Sequence, residues 1–259
     1  MPRLPLRLTA DLTRARLARM VRLAPDASPV QFVDAAEILH HDSSHTVSHE
    51  RIREINSSRS PVVWIGGSEP LHHPGVSHLV RAIAQTGHFV FLETDGTNLR
   101  RRIHEFQPTS QLFLTVRLEP GTQGHASKGL RSDAFELASE GIRAARLSGF
   151  LICVNVHVHS ETKLREMADL IQFARSLDVD GIVITPANSG TNGVAPDAAA
   201  LQRKTAEARK LIGSMWWESF SRIVEPVVTG ESSAARNVGD TGVGIEQETQ
   251  ENEEGVRVA

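Results

Sequence analysis

The sequence predicts an α/β protein built on a parallel sheet, and three observations carry that prediction. Short apolar or β-branched runs alternate with longer amphipathic segments, the pattern of strand–helix–strand units joined by right-handed crossovers. Boundary residues punctuate the alternation. Gly87 and Gly149 fall where helices should stop just before strands, Ser48 can cap a helix with Glu50 in its first turn, and Pro196-Asp197 can open another. Finally, 259 residues, 40% hydrophobic and 23% charged, suit one α/β domain that buries a sizeable core without disulfides or metals.

Taken in order, the strand candidates are Leu4–Ala10, Pro61–Ile65, His88–Leu92, Gln111–Leu118, Phe150–His157 and Asp180–Thr185. Helices are expected near Ser48–Asn56, Gly75–Gln85, Asn98–Phe106, Asp133–Ser148 and Glu161–Leu177, with another near Asp197–Ile212 after the last strand. Residues 24–47 read as irregular, rich in Pro, Ser, Asp and His, with helical spacing only from Phe32 to Leu39. Trp216-Trp217, Phe220 and Ile223 are expected to pack against the sheet. Beyond about Thr229 the chain turns Gly-, Ser- and Glu-rich, and Gly244–Gly255 reads as an acidic disordered tail. The expected organisation is therefore one folded unit over residues 1–228 and a tail over 229–259.

Composition narrows the function classes. A net charge of −3 favours neither nucleic acid nor an anionic membrane as partner. No run approaches the roughly 20 apolar residues of a membrane span, and residues 1–12 lack the apolar stretch of a signal peptide. With a single cysteine, Cys153, no disulfide framework, zinc knuckle or multi-cysteine cluster site can be built. A reducing cytoplasm is the expected compartment. The chain has no Walker loop, no dinucleotide Gly-x-Gly-x-x-Gly and no nucleophile triad recoverable from residue order.

Several motifs nevertheless stand in an informative order. The run Val62 to Pro74, with Gly66-Gly67-Ser68-Glu69-Pro70 at its centre, resembles the Gly-Gly-Glu-Pro turn of the radical S-adenosylmethionine (radical SAM) family, with Ser68 in place of that turn's second glycine. Leu92-Glu93-Thr94-Asp95-Gly96 resembles the family's Thr-Asn-Gly strand end, and Leu114 to Glu119 its Ser-Val-x-Leu-Asp strand. His125 to Arg131, followed by Phe135-Glu136, resembles its His-Asp…Arg…Phe-Asp loop and helix start. Cys153-Val154-Asn155-Val156 stands where the family has an asparagine-bearing strand, and Gly181 to Pro186 resembles its last core strand. Arg101 to Arg131 follows, without gaps, the spacing of the hopanoid-modifying members (adenosylhopane synthase type). Each motif alone is a weak signal; together, in order and at strand–helix spacing, they are a strong one. The resemblance spans roughly Leu4 to Pro186 and implies a partial (β/α)6 TIM-like barrel of the radical SAM type.

The departure from the family is as informative as the match. Its members carry a CxxxCxxC loop after the first strand, whose thiolates hold a [4Fe-4S] cluster. Aligned on Asp11-Leu12-Thr13, those positions here are Arg16, Met20 and Leu23, and a one-residue shift gives Ala15, Arg19 and Arg22. Arginine has no lone pair to give iron. A [4Fe-4S] cluster is therefore not expected, and Thr13–Leu23 reads as a helix instead.

Barrel sites form at the C-terminal ends of strands, and strand side chains alternate. If Asn155 faces inward, as the resemblance implies, then Cys153, His157 and His159 share its face, as Thr115, Arg117 and Glu119 share theirs. The expected mouth holds Glu69, Thr94, Asp95, Arg117, Glu119, Asn155 and His157, with Arg131 reaching in from a loop. In the family, the equivalents of Gly67 to Glu69 bind the amino group of S-adenosylmethionine, so that molecule is the candidate cofactor for Gly66, Gly67, Ser68, Glu69, Thr94, Asp95, Glu119, Arg131, Asn155 and His157. Plainer roles compete with these. Glu69 can cap a helix, Gly66-Gly67 can serve only a tight turn, Asp95-Gly96 can be a turn, and His157 can be a hydrogen-bonded wall histidine. His40, His41, His45 and His49 lack a common helix face, because Ser48 starts the helix, and no metal site is assigned to them. The resulting functional expectation is a cluster-less radical SAM homologue that binds a small polar ligand at its mouth or supports an active radical SAM partner. The rivals are an enzyme using the mouth for non-radical or metal-assisted chemistry, and a purely structural or interaction protein.

Overall fold

The computed structural model describes residues 4–21, 28–38, 49–120, 133–187 and 198–229. The expected acidic tail and Arg131 lie outside them. Six parallel strands pair in sequence order: β1 (Val30–Asp34), β2 (Val62–Gly66), β3 (Phe89–Thr94), β4 (Leu112–Leu118), β5 (Leu151–Val158) and β6 (Gly181–Pro186). The helices are α1 (Leu6–Met20), α2 (Ala35–Ile38), α3 (His49–Ser57), α4 (Val76–Gln85), α5 (Leu99–Arg102), α6 (Asp133–Leu147), α7 (Leu164–Ser176), α8 (Ala198–Lys210) and α9 (Met215–Val228). This is the expected parallel half-barrel. Its curl is visible in a single contact: Asn155 Nδ2 on β5 donates to Glu93 Oε1 on β3 at 3.0 Å. Strands two apart in a flat sheet are separated by about 9.5 Å, so the two side chains meet only over a concave surface.

Two expectations fail at the N-terminus, for one reason. Leu4–Ala10 is not a strand but runs into helix α1. Leucines at positions 4, 6 and 8 satisfy a period of two, and those at 4, 8 and 12 satisfy a helical period. The second pattern wins: Leu4, Leu8 and Leu12 are buried, whereas Leu6 is 85% exposed. The first strand is Val30–Asp34, within the stretch read as irregular, and it pairs Val30 with Val62 and Asp34 with Gly66. Only Val30 and Val33 are fully buried along it, so neither alternation nor a continuous apolar run marked it. Arg16 and Met20 therefore sit on α1, not on the loop after the first strand. The segment that follows the first strand in sequence, Ala35 to Ser48, also contains no cysteine.

The concave face is stratified. Its lower layer is aromatic: Trp64 stacks on Phe91 (centroids 5.4 Å apart) and Phe91 on Phe113 (4.5 Å). Phe220 and Trp217 of α9 close onto this stack at 5.0 Å from Phe91 and 6.1 Å from Phe113. Helix α9 touches both β6 and β1, so it fills the gap between the two sheet edges. It also satisfies the β6 edge. Ile184 N–H donates to Ser221 Oγ at 3.2 Å, and Arg209 donates to the Ile184 carbonyl while pairing with Glu225 at 2.7 Å. Side chains of α8 and α9 thus occupy hydrogen-bonding groups that a seventh strand would otherwise use.

Candidate functional site

Above the aromatic layer, toward the C-terminal ends of the strands, lies a polar layer centred on Glu93. Its carboxylate is 4% exposed. Oε2 accepts from Trp64 Nε1 at 2.8 Å, and Oε1 accepts from Asn155 Nδ2 at 3.0 Å and lies 3.3 Å from His157 Nε2. Asn155 Nδ2 is also 3.1 Å from His157 Nε2, and its Oδ1 accepts from Thr185 Oγ1 at 3.1 Å. Burial alone would push the Glu93 carboxyl up. The hydrogen bond and charge of His157, with hydrogen bonds from Trp64 and Asn155, outweigh it and hold the carboxyl below its ordinary value. Thr115, adjacent to Glu93 in register, is fully buried, and its hydroxyl has no partner among the described residues.

Asn155 and His157 thus share the inner face, as expected, along with Cys153, which sits between Thr115 and Gly181. Glu93 carries the whole layer and was not among the expected site residues. Its signal was a lone carboxylate directly after the apolar run Phe89–Leu92, but without the inter-strand register nothing connected it to Asn155.

Glu69, Thr94 and Asp95 form a second, separate cluster. Thr94 follows Glu93 on β3 and so points to the opposite face. Glu69 Oε1 accepts from Thr94 Oγ1 at 2.7 Å and from Leu71 N at 3.0 Å, where it caps the short 3-10 helix Pro70–His72, and Oε2 accepts from Asp95 N at 2.7 Å. Asp95 Oδ1 in turn accepts from Thr97 N and Oγ1. The carboxylate of Glu69 therefore clamps the β2 turn onto the β3 turn. It has about four lone-pair positions, so room for one further donor remains on Oε2.

Gly66 and Gly67 are required by their surroundings. A Cβ on Gly66 would lie 2.9 Å from Glu93 Oε2. Gly67 has φ +82° and a Cβ there would lie 2.5 Å from Asp34 Oδ1, the atom that also accepts from Ala36 N. We expect Gly67→Ala to lower stability by about 1–3 kcal/mol, read as a drop in melting temperature. Ser68 and Glu119 are exposed, Glu119 just past the end of β4, and His159 is exposed beyond β5. Arg117 is half-buried on β4 beside Asn155.

The residues present do not fit a cysteine-held cluster. Cys153 is fully buried under the polar layer, and burial first, then the charges of Asp180 and Glu93, push its thiol well up, away from the thiolate that iron requires. Among the described residues no group of His, Cys, Asp and Glu is placed to hold a metal ion, and no helix is long and apolar enough to cross a membrane. His40, His41 and His45 lie outside the described residues.

No family model matches the chain. Over 135 residues, 50% of the chain, it is 31% identical to GTP 3',8-cyclase 2 of Pseudomonas aeruginosa, covering 41% of that protein. Over 148 residues, 56% of the chain, it is 28% identical to the AdoMet-dependent heme synthase of Methanosarcina barkeri, covering 40% of it. The chain thus spans about two fifths of the length of these curated relatives. Among solved structures, Streptococcus suis SuiB bound to precursor peptide SuiA is 12% identical with a TM-score of 0.49, covering 75% of this chain and 50% of that one. TYW1 with a lysine-pyruvate adduct is 15% identical with a TM-score of 0.45, covering 64% and 53%. At these values the solved structures add nothing to what the strand order already establishes. The curated relatives, with the order of the turn motifs along a six-stranded parallel half-barrel, point to the radical S-adenosylmethionine superfamily.

Proposed function

We propose that this chain is a radical SAM homologue without a cysteine-held cluster, which binds a small polar ligand at the barrel mouth, S-adenosylmethionine being the first candidate. The observation that carries it is the built polar layer of Trp64, Glu93, Asn155, His157 and Thr185 at the C-terminal ends of the strands, in a chain whose single cysteine is a buried thiol. A barrel needing only a core would fill this layer with apolar side chains, since a buried carboxylate adds little net stability. Gly66, Gly67 and Glu69 would hold the amino-acid end of S-adenosylmethionine, through backbone groups and the remaining lone pair of Glu69.

Two measurements test this. Anaerobic reconstitution with iron and sulfide should leave no stoichiometric iron or sulfide and no visible charge-transfer band; the appearance of all three overturns the cluster-less assignment. Calorimetry should give one-to-one binding of S-adenosylmethionine, and absence of heat removes that ligand. The rival is support of a cysteine-bearing relative, whose signature is a stoichiometric complex with such a protein and no heat with S-adenosylmethionine alone.

A further inference from the structure

The described arginines that are not fully exposed are Arg51, Arg102, Arg117, Arg146 and Arg209. Arg51 pairs with Glu54, Arg102 with Glu105, Arg146 with Asp178 and Asp180, and Arg209 with Glu225. Arg117 is the exception: it has no ion pair or hydrogen bond among the described residues. A guanidinium is charged at every accessible pH, and removing it partly from water without a counter-ion is unfavourable. Its position is also not that of a stray surface charge. It lies on the concave face of β4, two residues above the buried, unpartnered hydroxyl of Thr115 and beside Asn155 on β5.

His157 stands diagonally above it, about 8 Å away by strand spacing and rise, within reach of an arginine side chain plus a small bound group. The imidazole is turned with Nε2 toward Glu93 and Asn155. Nδ1, across the ring, has no partner among the described residues. It carries a proton when the ring is charged against Glu93, and also when Nε2 accepts from Asn155. The buried carboxylate of the polar layer, Glu93, is already committed to Trp64, Asn155 and His157 and is no counter-ion for Arg117.

We infer that Arg117 and His157 form an oxyanion-binding wall, and that the mouth takes small molecules bearing a carboxylate or a phosphate, gripped by the Arg117 fork with His157 Nδ1 as second donor. This rests on the proposal that the mouth binds a small ligand and specifies which class. The planar fork of arginine matches both oxyanions bidentately. Within the motif resemblance, Arg117 stands at the unspecified position of the Ser-Val-x-Leu-Asp strand, so the wall is a property of this chain.

The test compares three probes on the full chain: inorganic phosphate, S-adenosylhomocysteine, whose zwitterionic amino-acid end carries a carboxylate, and methylthioadenosine, which lacks that end. Each is titrated by calorimetry and by the His157 ring resonances, in the wild type, Arg117→Gln and Arg117→Lys. The two probes that carry an oxyanion group should shift the His157 resonances and lose about tenfold or more in affinity in Arg117→Gln, with Arg117→Lys between, while methylthioadenosine is unaffected by either change. Arg117-dependent phosphate binding without any adenosyl binding supports the wall and removes S-adenosylmethionine as ligand. Adenosyl compounds that bind equally to wild type and Arg117→Gln overturn the wall and leave the mouth as a ligand site. No binding of either phosphate or S-adenosylhomocysteine overturns the inference.

Discussion

Replacing Trp217 with alanine is expected to destabilise the protein by about 3–5 kcal/mol, the range for deleting a buried large aromatic. The expectation follows from where the indole sits. Trp217 is 1% exposed on α9 and meets Phe113 of the sheet at 6.1 Å and Phe220 of its own helix at 5.8 Å. It also lies against Gly181, where a Cβ would run into its six-membered ring. The ring therefore fills space that β6 leaves empty, and nothing nearby can collapse into it: the neighbours are strand backbone and other rings. Urea unfolding followed by circular dichroism checks the magnitude, and a loss below about 1 kcal/mol would mean that α9 does not plug the barrel. Gly181→Val in the Trp217→Ala background should recover part of the loss, whereas the same change alone should destabilise. That opposite sign separates a filled gap from a general weakening.

Most of the sheet was legible in the sequence because most strands are buried on both faces. β2 through β6 are near-continuous apolar runs separated by helical connections, of which the one between β3 and β4 is only the four-residue α5 and a 3-10 turn at Ile103–Glu105, and each strand lies within about two residues of its expected bounds. Residues 4–38 do not yield to the same reading. Leu4 to Leu12 obey two periods at once, and β1 is a short edge strand with one half-buried flank, so its two buried valines fall three apart and resemble a helix more than a strand. The first strand moves by more than twenty positions as a result, and neither the segment expected to follow it nor the one that does contains a cysteine. The site was half legible. Parity along one strand correctly put Cys153, Asn155 and His157 on one face, but parity carries no information between strands. Glu69 and Thr94 were grouped with them by resemblance, and the structure joins those two in a separate clamp across the turns. Glu93, whose partners come from β2 and β5, is visible only once the sheet curls.

Glu93→Ala should cost about 3–5 kcal/mol, the range for breaking a buried charged network by removing one member. The carboxylate is the common acceptor for Trp64 Nε1, Asn155 Nδ2 and the His157 ring, so its removal strands several buried donors at once. It also releases the Asn155 amide. With Glu93 present, the amide nitrogen must face the carboxylate and the oxygen must face Thr185; the reversed orientation would set oxygen against oxygen. Glu93→Gln keeps the shape but offers one acceptor oxygen and one donor group to neighbours that all donate, so it too should destabilise, by about 1–3 kcal/mol. The pH dependence distinguishes a charged acceptor from a mere hydrogen-bonding one. The folded-state carboxyl titrates below its unfolded value, so the unfolded chain takes up the proton first as pH falls. The stability that Glu93 contributes is present above about pH 4.5 and is lost as pH drops through the folded value. The wild-type advantage over Glu93→Gln should therefore narrow below about pH 4.5, and an advantage that widened there would mean the buried carboxyl is held protonated. Because His157 and Asn155 line the mouth through this one carboxylate, Glu93→Gln should also weaken whatever binds there, by misplacing its donors rather than by lost contact. A variant that kept full affinity with its wall disordered would show that the ligand does not use these two residues.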